Sequence, residues 1–532
     1  MDRLNLHLTR PEWQSTERTS LHMRGTAFFD NRRLPFAEVS THLPNNTNDL
    51  EAWQEFLLSL NGFFALIYQS HSHVIAAVDR VRSVPLYFGQ DGTEVYLSDD
   101  AEWIRQHVGD NEVDPVAREE FQLAGYVTGA DTLFPKVKQL QPGEFLIATK
   151  TLNGLGLQAR RYYRFLQTKT AHSDESAMRT ALDRATEASI RRLVDYADDR
   201  QIVIPLSGGY DSRLIALMLK RIGYENVATF TYGMQGNREA RYAKRVAEAL
   251  DLPWQFVEYS RDKWRKAWIT DERRKYQADA SGWASLPHVQ DWLAVRELNH
   301  LTSIAPDCVF VPGHGPMAIL SHLGHFTAAS RSSDVLDAVL KTKFNLAPTN
   351  TENQRLVRAR VAALLQGCDE ERLDAWALYS YFEWQERQSK FLANAVRVYE
   401  FHDYDWWLPL WDVAFVGFWE SAPLSIRRNK KWYCDYVASR YSVFDPQATD
   451  LGNASKTPSG FWIAGLKRHA PKSYEHMRRK WYSILKGRPK SVLASDGRYD
   501  ECEQRRLRAR GFSSNGVAAY FFLRDVLGRS FA

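Results

Sequence analysis

The sequence has 532 residues, of which 44% are hydrophobic and 25% are charged, and its formal net charge is +5. A chain of this length can form two or three domains, each with its own hydrophobic core. The small net charge gives no reason to expect a nucleic-acid partner, and no apolar run is long enough to predict a transmembrane helix.

The cysteines are few, widely spaced and form no C-x-x-C pair. This spacing predicts reduced thiols and argues against a zinc site or a disulfide framework. The segment from Met1 to Asn5 lacks the apolar stretch that is typical of a signal peptide. Together these features predict a cytoplasmic protein. The cysteines are Cys308, Cys368, Cys434 and Cys502.

The first third of the sequence is mostly typical of β-strands. Leu60–Tyr68 and Val74–Asp79 are apolar segments that predict two paired strands. Beyond them, a long helical pattern leads into a second apolar region. We therefore place a domain boundary near Leu166, with a first domain over residues 1–166 and a second over residues 167–532.

The second domain begins with a pattern of strand, glycine turn and helix. Ile202–Leu206 is short and apolar, as in a buried parallel strand, and Leu214–Lys220 has the composition of a helix. Such a turn exposes backbone N–H groups at the positive end of a helix, which favours phosphate binding. Gly208 and Gly209 allow the backbone to approach an anion without a Cβ clash.

The polar residues of this turn add to the same prediction. Ser207 and Ser212 supply hydroxyl donors to a phosphate. Asp211 would repel a phosphate unless a cation lay between them, so it predicts a Mg²⁺ site. The Gly-Lys-Ser/Thr ending of the Walker loop is absent, which excludes that motif.

The segment Ser207–Ser212 resembles the S-G-G-x-D-S pyrophosphate loop of enzymes that split ATP into AMP and pyrophosphate. A second strand is predicted over Val227–Gly233 and a third over Trp254–Tyr259. Strands that alternate with helices predict a doubly wound parallel sheet. Nucleotides bind beyond the carboxyl ends of such strands, so Tyr232 and Gly233 are candidates for the adenosine pocket.

The first domain resembles the N-terminal glutaminase domain of the asparagine synthetase family. The resemblance rests on four segments in the family's order: LNGFFALIY, DRVRSVPLYFG, LSDDAEWI and LQPGEF. It implies an α/β protein of two domains. The first would be an α+β layered sandwich of the N-terminal nucleophile (Ntn) hydrolase type. The second would be an ATP pyrophosphatase domain with a doubly wound parallel sheet and extra helices.

One departure from the family concerns the glutaminase nucleophile. In the family, a cysteine at the mature N-terminus attacks glutamine, with its own α-amine as base. Here Asp2 follows Met1, and the first cysteine in the sequence is Cys308. We therefore expect a first domain without glutaminase activity. The alternative is that a processed leader precedes the active residue.

A second departure lies in the predicted strand and glycine turn from Cys308 to Met317. In asparagine synthetases a glutamate of this turn contacts the amino-acid substrate and an aspartate holds Mg²⁺. Gly313 matches the family and is expected to help bind the nucleotide. His314 replaces the glutamate and Met317 the aspartate, which disfavours aspartate as substrate. The segment Pro312-Gly313-His314 resembles the amidase subset of surface-polysaccharide (O-antigen type) gene clusters.

The resemblance assigns roles to three further residues. Glu239 would contribute to the nucleotide region, although an acidic residue is also favoured at any helix start. Asp405 would lie near the reaction intermediate, in a segment similar to the subset's Y-D-W-W-x-P-L-W-D, whereas Asp412 is expected to be structural. Lys456 would neutralise phosphate charge in the transition state, with Lys467 as the reserve candidate.

The predicted function is that of an ATP-dependent, amide-forming ligase. ATP and Mg²⁺ would bind at the glycine loop, and His314, Asp405 and Lys456 would act in catalysis. The substrate would be a small carboxylate, such as a uronic acid carried on a nucleotide sugar. The nitrogen would come from ammonia or a separate glutaminase, and a homodimer is left open.

Three alternatives remain from the sequence. One is asparagine synthesis. A second is intramolecular amide closure, as in β-lactam synthetases or lasso-peptide cyclases, which also lack the cysteine. The third is a non-catalytic assembly or regulatory protein with the same fold, which the methionine at position 317 favours.

Overall fold

A computed structural model describes most of the chain. The described residues are 4–16, 20–46, 48–70, 73–151, 154–167, 174–301, 303–321, 323, 326–327, 330–369, 373–428, 430–445, 497–526 and 528. Their β-strands, named β1 to β16 in chain order, are Leu4–His7, Gln14–Thr16, Leu21–Phe29, Arg32–Leu34, Asn61–Gln69, His73–Val78, Tyr87–Asp91, Glu94–Ser98, Val137–Gln139, Glu144–Thr151, Gly154–Arg161, Ile202–Pro205, Val227–Gly233, Trp254–Glu258, Val309–Phe310 and Asp405–Trp406.

The α-helices of the described residues are named α1 to α19. They are Phe36–His42, Leu50–Ser59, Ala101–His107, Pro115–Ala124, Glu175–Ala197, Tyr210–Arg221, Arg238–Ala249, Arg261–Trp268, Asp271–Ser281, Trp292–Leu301, Ser332–Lys343, Thr351–Asp369, Ala375–Phe382, Arg397–Phe401, Val413–Ser421, Leu424–Arg427, Lys431–Tyr441, Glu501–Ala509 and Ser514–Val526. Short 3₁₀ helices cover Pro316–Ser321, Ala393–Val396 and Pro409–Trp411, and a π-helix covers Glu383–Leu392. In the part of the chain that the structure describes, none of the helices combines the length and the apolar character needed to cross a membrane.

Two sheets form the N-terminal part. One has the strand order β11-β10-β6-β5-β3-β2, with β4 paired to β3, and the other has the order β1-β8-β7-β9. Alternate residues of β5 face different layers, because side chains alternate across a strand. Ala65 and Ile67 pack in a cluster with Leu97 of the smaller sheet, whereas Phe64 and Leu66 belong to the large central core. The result is a layered sandwich.

The C-terminal part is built on a parallel sheet in the order β14-β13-β12-β15-β16. Ile202–Ile204 of β12 is fully buried, as the short apolar run predicts. The helices α6 and α7 connect β12 to β13 and β13 to β14. Since β13 and β15 flank β12 on opposite sides, the strand order reverses at β12, and ligands bind outside its carboxyl end in such sheets.

A buried ion pair of the C-terminal part is hydrogen-bonded to the N-terminal part through Asn61. The Asp412 carboxylate accepts two hydrogen bonds from Arg192 of α5, at 2.7 and 2.6 Å, and a third from Asn61 Nδ2 of β5 at 3.0 Å. The Trp407 ring also packs edge-on against Phe63 at 4.7 Å between centroids. Asp412 is therefore structural, as the sequence predicts.

The predicted fold class, α/β with a layered sandwich and a doubly wound parallel sheet, is confirmed. The helix predicted from Leu214 begins earlier, at Tyr210, so the end of the glycine motif lies in its first turn. A π-helix over Glu383–Leu392 follows α13 directly. There Lys390 forms a buried ion pair with Glu386 at 2.6 Å. The domain boundary near Leu166 stays a prediction.

Candidate nucleotide-binding and ligase site

The glycine loop is braced by its own serines. The Gly209 N–H donates to Ser207 Oγ at 3.1 Å, and the Ser207 N–H donates to Ser212 Oγ at 3.1 Å. Gly209 precedes α6 with an extended conformation and gives it no side-chain cap. The helix start therefore keeps N–H groups available for an anion.

A buried arginine supports the loop from behind. Arg213 is 1% exposed and donates to the Gly208 carbonyl at 3.3 Å. Its guanidinium lies over the rings of Tyr210 and Tyr441, at 5.0 and 5.3 Å from their centroids. Burial lowers the pKa of Arg213 from its ordinary value. These contacts hold the Gly208 carbonyl group in one orientation.

A lysine from a distant segment faces the loop. Lys430 directly precedes α17, has a positive φ of 59°, and places Nζ 3.3 Å from Asp211 Oδ2. The other carboxylate oxygen, Asp211 Oδ1, is buried and accepts no hydrogen bond within the described part of the chain. Burial and the charge of Asp211 raise the pKa of the nearby Tyr433 well above its ordinary value. The loop thus has a cation and an uncommitted carboxylate oxygen at its mouth.

Two close backbone contacts join the neighbouring turns to this loop. A Cβ atom added to Gly313 would lie 2.6 Å from the Ser212 nitrogen, so the turn after β15 packs directly on the start of α6. A Cβ added to Gly208 would lie 3.3 Å from Tyr242 Cβ and 3.7 Å from Glu239 Cα of α7. The carboxyl edge of the sheet therefore brings Gly208, Ser212, Glu239 and Gly313 together.

The adenosine candidates lie at the end of β13. The Tyr232 ring stacks on Tyr259 with 5.1 Å between centroids, and burial together with the carboxylates of Asp291 and Glu239 raises the pKa of Tyr232 well above its ordinary value. Asn237 caps α7 through the Ala240 N–H at 2.9 Å. Tyr232 is half-buried and Glu239 is exposed, so both remain accessible from the crevice.

His314 is half-buried, and its Nδ1 is buried without a hydrogen-bond partner among the described residues. Burial, with a smaller effect of His288, lowers the pKa of His314 to about 4. The imidazole is therefore neutral near pH 7. A charged imidazole that binds a carboxylate is therefore disfavoured at this position, and a neutral imidazole can still form hydrogen bonds to a substrate.

Comparison with known proteins gives the family. The family model for asparagine synthase matches residues 179–433, and the model for a glutamine amidotransferase domain matches residues 49–163. Together they span more than two thirds of the chain. The chain belongs to the asparagine synthetase-like family. An asparagine synthase domain supports an ATP-dependent ligase that forms carbon–nitrogen bonds, and it implies the use of ATP.

Individual relatives match over shorter segments. Mitochondrial tRNA-specific 2-thiouridylase 1 of Gallus gallus is 27% identical over 182 residues, which are 32% of this chain and 39% of the relative. A tRNA-specific 2-thiouridylase of Shouchella clausii is 26% identical over 126 residues, or 22% of this chain and 34% of the relative. The chain thus spans less than half the length of these curated relatives. The NH3-dependent NAD synthetase of Campylobacter jejuni is a solved structure that shares 17% identity with this chain. The match covers 41% of this chain and 95% of the synthetase chain, with a TM-score of 0.21.

Not every candidate of this asparagine synthetase-like chain lies at the loop. Asp405 is opposite Val309, which is opposite Ile202 at the amino end of β12. The loop follows the carboxyl end of that strand, about five residues and roughly 16 Å away. Asp405 also forms an ion pair with Arg200. The structure therefore does not bring Asp405 together with the phosphate loop.

The remaining predicted features are the two lysines Lys456 and Lys467, the methionine at position 317 and the magnesium site. Lys456 and Lys467 lie outside the described residues. Met317 is 1% exposed in the 3₁₀ helix Pro316–Ser321, where it packs in the core. Within the described residues, no group of three or more histidine, cysteine or carboxylate side chains is arranged to hold a metal ion. A magnesium site here would thus depend on Asp211 together with groups of the nucleotide.

Sequence reasoning missed two residues of the site. Lys430 lies in the basic run Arg427–Lys431, and that run was the only signal for it. Arg213 directly follows the glycine motif, but nothing in the sequence indicates that its guanidinium turns back toward the loop. Both contacts are long-range or conformational, so residue spacing alone does not reveal them.

Proposed function

We propose that this protein is a ligase that converts a carboxylate to an acyl-adenylate with ATP and then transfers ammonia or an amine to it. AMP and pyrophosphate are the other products. The observation that supports this function best is the serine-braced glycine loop at the start of α6, which has no side-chain cap and faces Lys430.

Different residues at the loop bind the phosphate oxygens, balance their charge and hold Mg²⁺. The backbone N–H groups near Gly208 and Gly209 bind phosphate oxygens, and Lys430 balances their negative charge. The orphaned Oδ1 of Asp211 fits a Mg²⁺ ion that accompanies ATP, because it is buried and accepts no hydrogen bond within the described residues. When bound, Mg²⁺ supplies positive charge to the phosphates.

The proposed chemistry has two steps. A substrate carboxylate oxygen attacks the α-phosphorus, and the bond between the α-phosphorus and the bridging oxygen breaks to release pyrophosphate. The amine nitrogen then attacks the acyl carbon and AMP leaves. Lys456, by resemblance, stabilises the charge on the phosphates in the first step.

The proposed substrate is a uronic acid of a surface-polysaccharide precursor, and the product is its amide. The half-buried, neutral His314 suits a sugar hydroxyl better than it suits the ammonium group of aspartate. The sequence has no cysteine before Cys308. We therefore propose that the first domain does not hydrolyse glutamine and that ammonia comes from solution or from a separate glutaminase.

Product analysis tests this function. The protein is incubated with ATP, Mg²⁺, ammonium and one of four acids: glucuronic acid, galacturonic acid, UDP-glucuronic acid or aspartate. We expect mass spectrometry to detect a uronamide, with AMP and pyrophosphate in equal amounts. Amide formation from aspartate alone would instead establish asparagine synthesis. No amide from any of the four acids would favour the alternative of intramolecular closure of another substrate, which needs no added ammonium.

A further inference from the structure

Two histidines and an aspartate form a cluster beside the phosphate loop. The ring of His288 lies 5.8 Å from the ring of His314 at an interplanar angle of 76°. His288 Nε2 lies 3.2 Å from Asp291 Oδ1. Asp291 is 3% exposed, and the side chain of His288 is 16% exposed. The cluster is thus buried at its carboxylate end and more open at the imidazole.

The cluster is linked to the glycine loop through the turn after β15. His314 follows Gly313, whose backbone packs on Ser212 in the first turn of α6. Asp291 also influences Tyr232 at the carboxyl end of β13. The two histidines therefore lie at the carboxyl edge of the sheet, next to the loop that would hold ATP.

Tyrosines from three parts of the fold hold the segment that carries His288. The Tyr276 hydroxyl of α9 donates to the His288 carbonyl, and the Tyr259 hydroxyl, just after β14, donates to the Gln290 carbonyl at 2.7 Å. The Tyr399 hydroxyl of α14 donates to Asp291 Oδ2 at 2.9 Å. Hydrogen bonds from separate elements hold this segment in one conformation, and such support preorganises a functional site.

The Asp291 carboxylate is the negative charge of the cluster. Burial alone would raise the pKa of Asp291, but His288, His314 and the Tyr399 hydroxyl reverse this effect, and the net shift is downward. The tyrosines that face the cluster from β13, α9, α14 and the end of β14 are neutral, because burial raises their pKa values well above the ordinary value. They are Tyr232, Tyr276, Tyr399 and Tyr259.

Among the described residues, only one of the two imidazoles lies within ion-pair distance of a carboxylate. The Asp291 carboxylate lies 3.2 Å from His288 Nε2, so it stabilises the imidazolium that forms when His288 accepts a proton in the reaction. His314 is kept neutral by burial, and a charge on His288 opposes a second charge 5.8 Å away. Asp291 Oδ1 lies 3.2 Å from His288 Nε2, so we assign Nδ1 as the nitrogen that accepts a proton from a substrate.

We propose that His288 is the base that removes a proton from the attacking amine, and that Asp291 positions it. The proposal rests on the ligase function above. The lone pair of ammonia forms the C–N bond to the acyl carbon, and one of the three hydrogens on nitrogen passes as a proton to His288 Nδ1. The C–O bond to AMP then breaks, with its electron pair on the phosphate oxygen. After AMP leaves, the imidazolium releases its proton to water.

The two half-reactions separate this role from the ligase function. Exchange of labelled pyrophosphate into ATP reports adenylation of the acid, and amide production reports attack by the amine. Both are measured with whichever of the four acids gives the fastest exchange. In His288→Asn we expect amide formation from ammonium to fall by about 10²-fold, the usual size of general-base catalysis, and exchange to fall far less.

Three further measurements distinguish a base from a structural residue. Amide formation by the wild type should rise with pH through a single ionisation that His288→Asn lacks. Hydroxylamine, a weaker base that is unprotonated at neutral pH, should lose less rate in the variant than ammonium does. Asp291→Asn should move the ionisation in the pH profile, whereas His300→Asn, an exposed histidine of α10, should change nothing.

The outcomes have distinct meanings. If the wild type shows no exchange with any of the acids, the ligase function fails, and the base fails with it. If exchange occurs but His288→Asn forms amide at the wild-type rate, only the role of His288 is wrong. If His288→Asn does not fold, a wild-type pH profile for amide formation without an ionisation would overturn the proposal.

Discussion

Lys430 gives the phosphate loop a positive charge that the glycine motif itself lacks. Its Nζ lies 3.3 Å from Asp211, and both side chains are about one quarter exposed. Replacing Lys430 with methionine should raise the KM for ATP about tenfold, since a charge-assisted hydrogen bond contributes about 1.5–3 kcal/mol and 1.4 kcal/mol corresponds to tenfold. The neighbouring Lys431→Met, 75% exposed, is the control. Equal KM values in the two variants would contradict a phosphate role for Lys430.

His402 predicts how stability depends on pH. It is 9% exposed, and burial lowers its pKa to about 4. Because the pKa of His402 is lower in the folded chain than in the unfolded chain, the unfolded chain binds a proton at pH values where folded His402 stays neutral. The stability contributed by neutral His402 is therefore fully present above pH 6.5 and is lost as pH falls toward 4. The contribution is at most about 3 kcal/mol.

Urea unfolding of His402→Gln tests this dependence. Between pH 7 and pH 4.5, the variant should lose less free energy of unfolding than the wild type. His107→Gln, from the exposed end of α3, should retain the wild-type slope. A slope in His402→Gln equal to that of the wild type would show that the histidine titrates normally.

At the scale of elements, the turn after β15 depends on a glycine. A Cβ at position 313 would lie 2.6 Å from the Ser212 nitrogen, so Gly313→Ala must move this turn away from α6. We expect ATP–pyrophosphate exchange to fall at least tenfold, because displacement of groups at a reacting centre by about 1 Å can cost 10²-fold. Gly367→Ala in α12, where no atom lies within 4 Å, should retain full exchange. Full exchange in Gly313→Ala would mean that the turn is not part of the site.

Two aspartates of one segment should differ in their effects. Asp412 is 2% exposed and forms a bidentate pair with Arg192, whereas Asp405 has a side chain 45% exposed and pairs with Arg200. Asp412→Ala should lower the free energy of unfolding by about 3–5 kcal/mol because it leaves a buried arginine without its partner. Asp405→Asn should lower it by at most about 1 kcal/mol.

Activity of the Asp405 variant provides a second test. Since Asp405 lies at the amino end of the sheet, Asp405→Asn should retain exchange and amide formation. A loss of exchange with unchanged unfolding would restore the catalytic role that the resemblance gave this residue. Unfolding of Asp412→Ala at the wild-type urea concentration would show that the pair adds nothing to the domain contact.

At the scale of the whole molecule, the N-terminal part packs against the C-terminal part. Its strand β5 supplies Asn61 to the Asp412 contact and Phe64 to the shared core. We expect glutamine to produce no glutamate and no amide, while ammonium supports amide formation. Glutamate released at a rate that matches amide formation would contradict this prediction.

The sequence was sufficient for the local parts of this structure. The strand at Ile202, the glycine turn and the doubly wound sheet follow from apolar periodicity and glycine placement, which act within a few residues. Lys430 and the pair of His288 with Asp291 were not predictable, because tertiary packing alone brings their side chains to the loop. Asp405 was placed by resemblance, and the register of β15 and β16 puts it at the other end of the sheet.

Acid-dependent exchange of labelled pyrophosphate into ATP, measured for the wild type, Asp211→Asn and Asp251→Asn, is the most direct measurement. Asp251 has a side chain 97% exposed and lies far along the chain from the loop. We predict exchange that requires a uronic acid and Mg²⁺, a loss of at least tenfold in Asp211→Asn, and wild-type rates in Asp251→Asn. Equal exchange in both variants, or none in the wild type with any acid, would contradict adenylation at this loop.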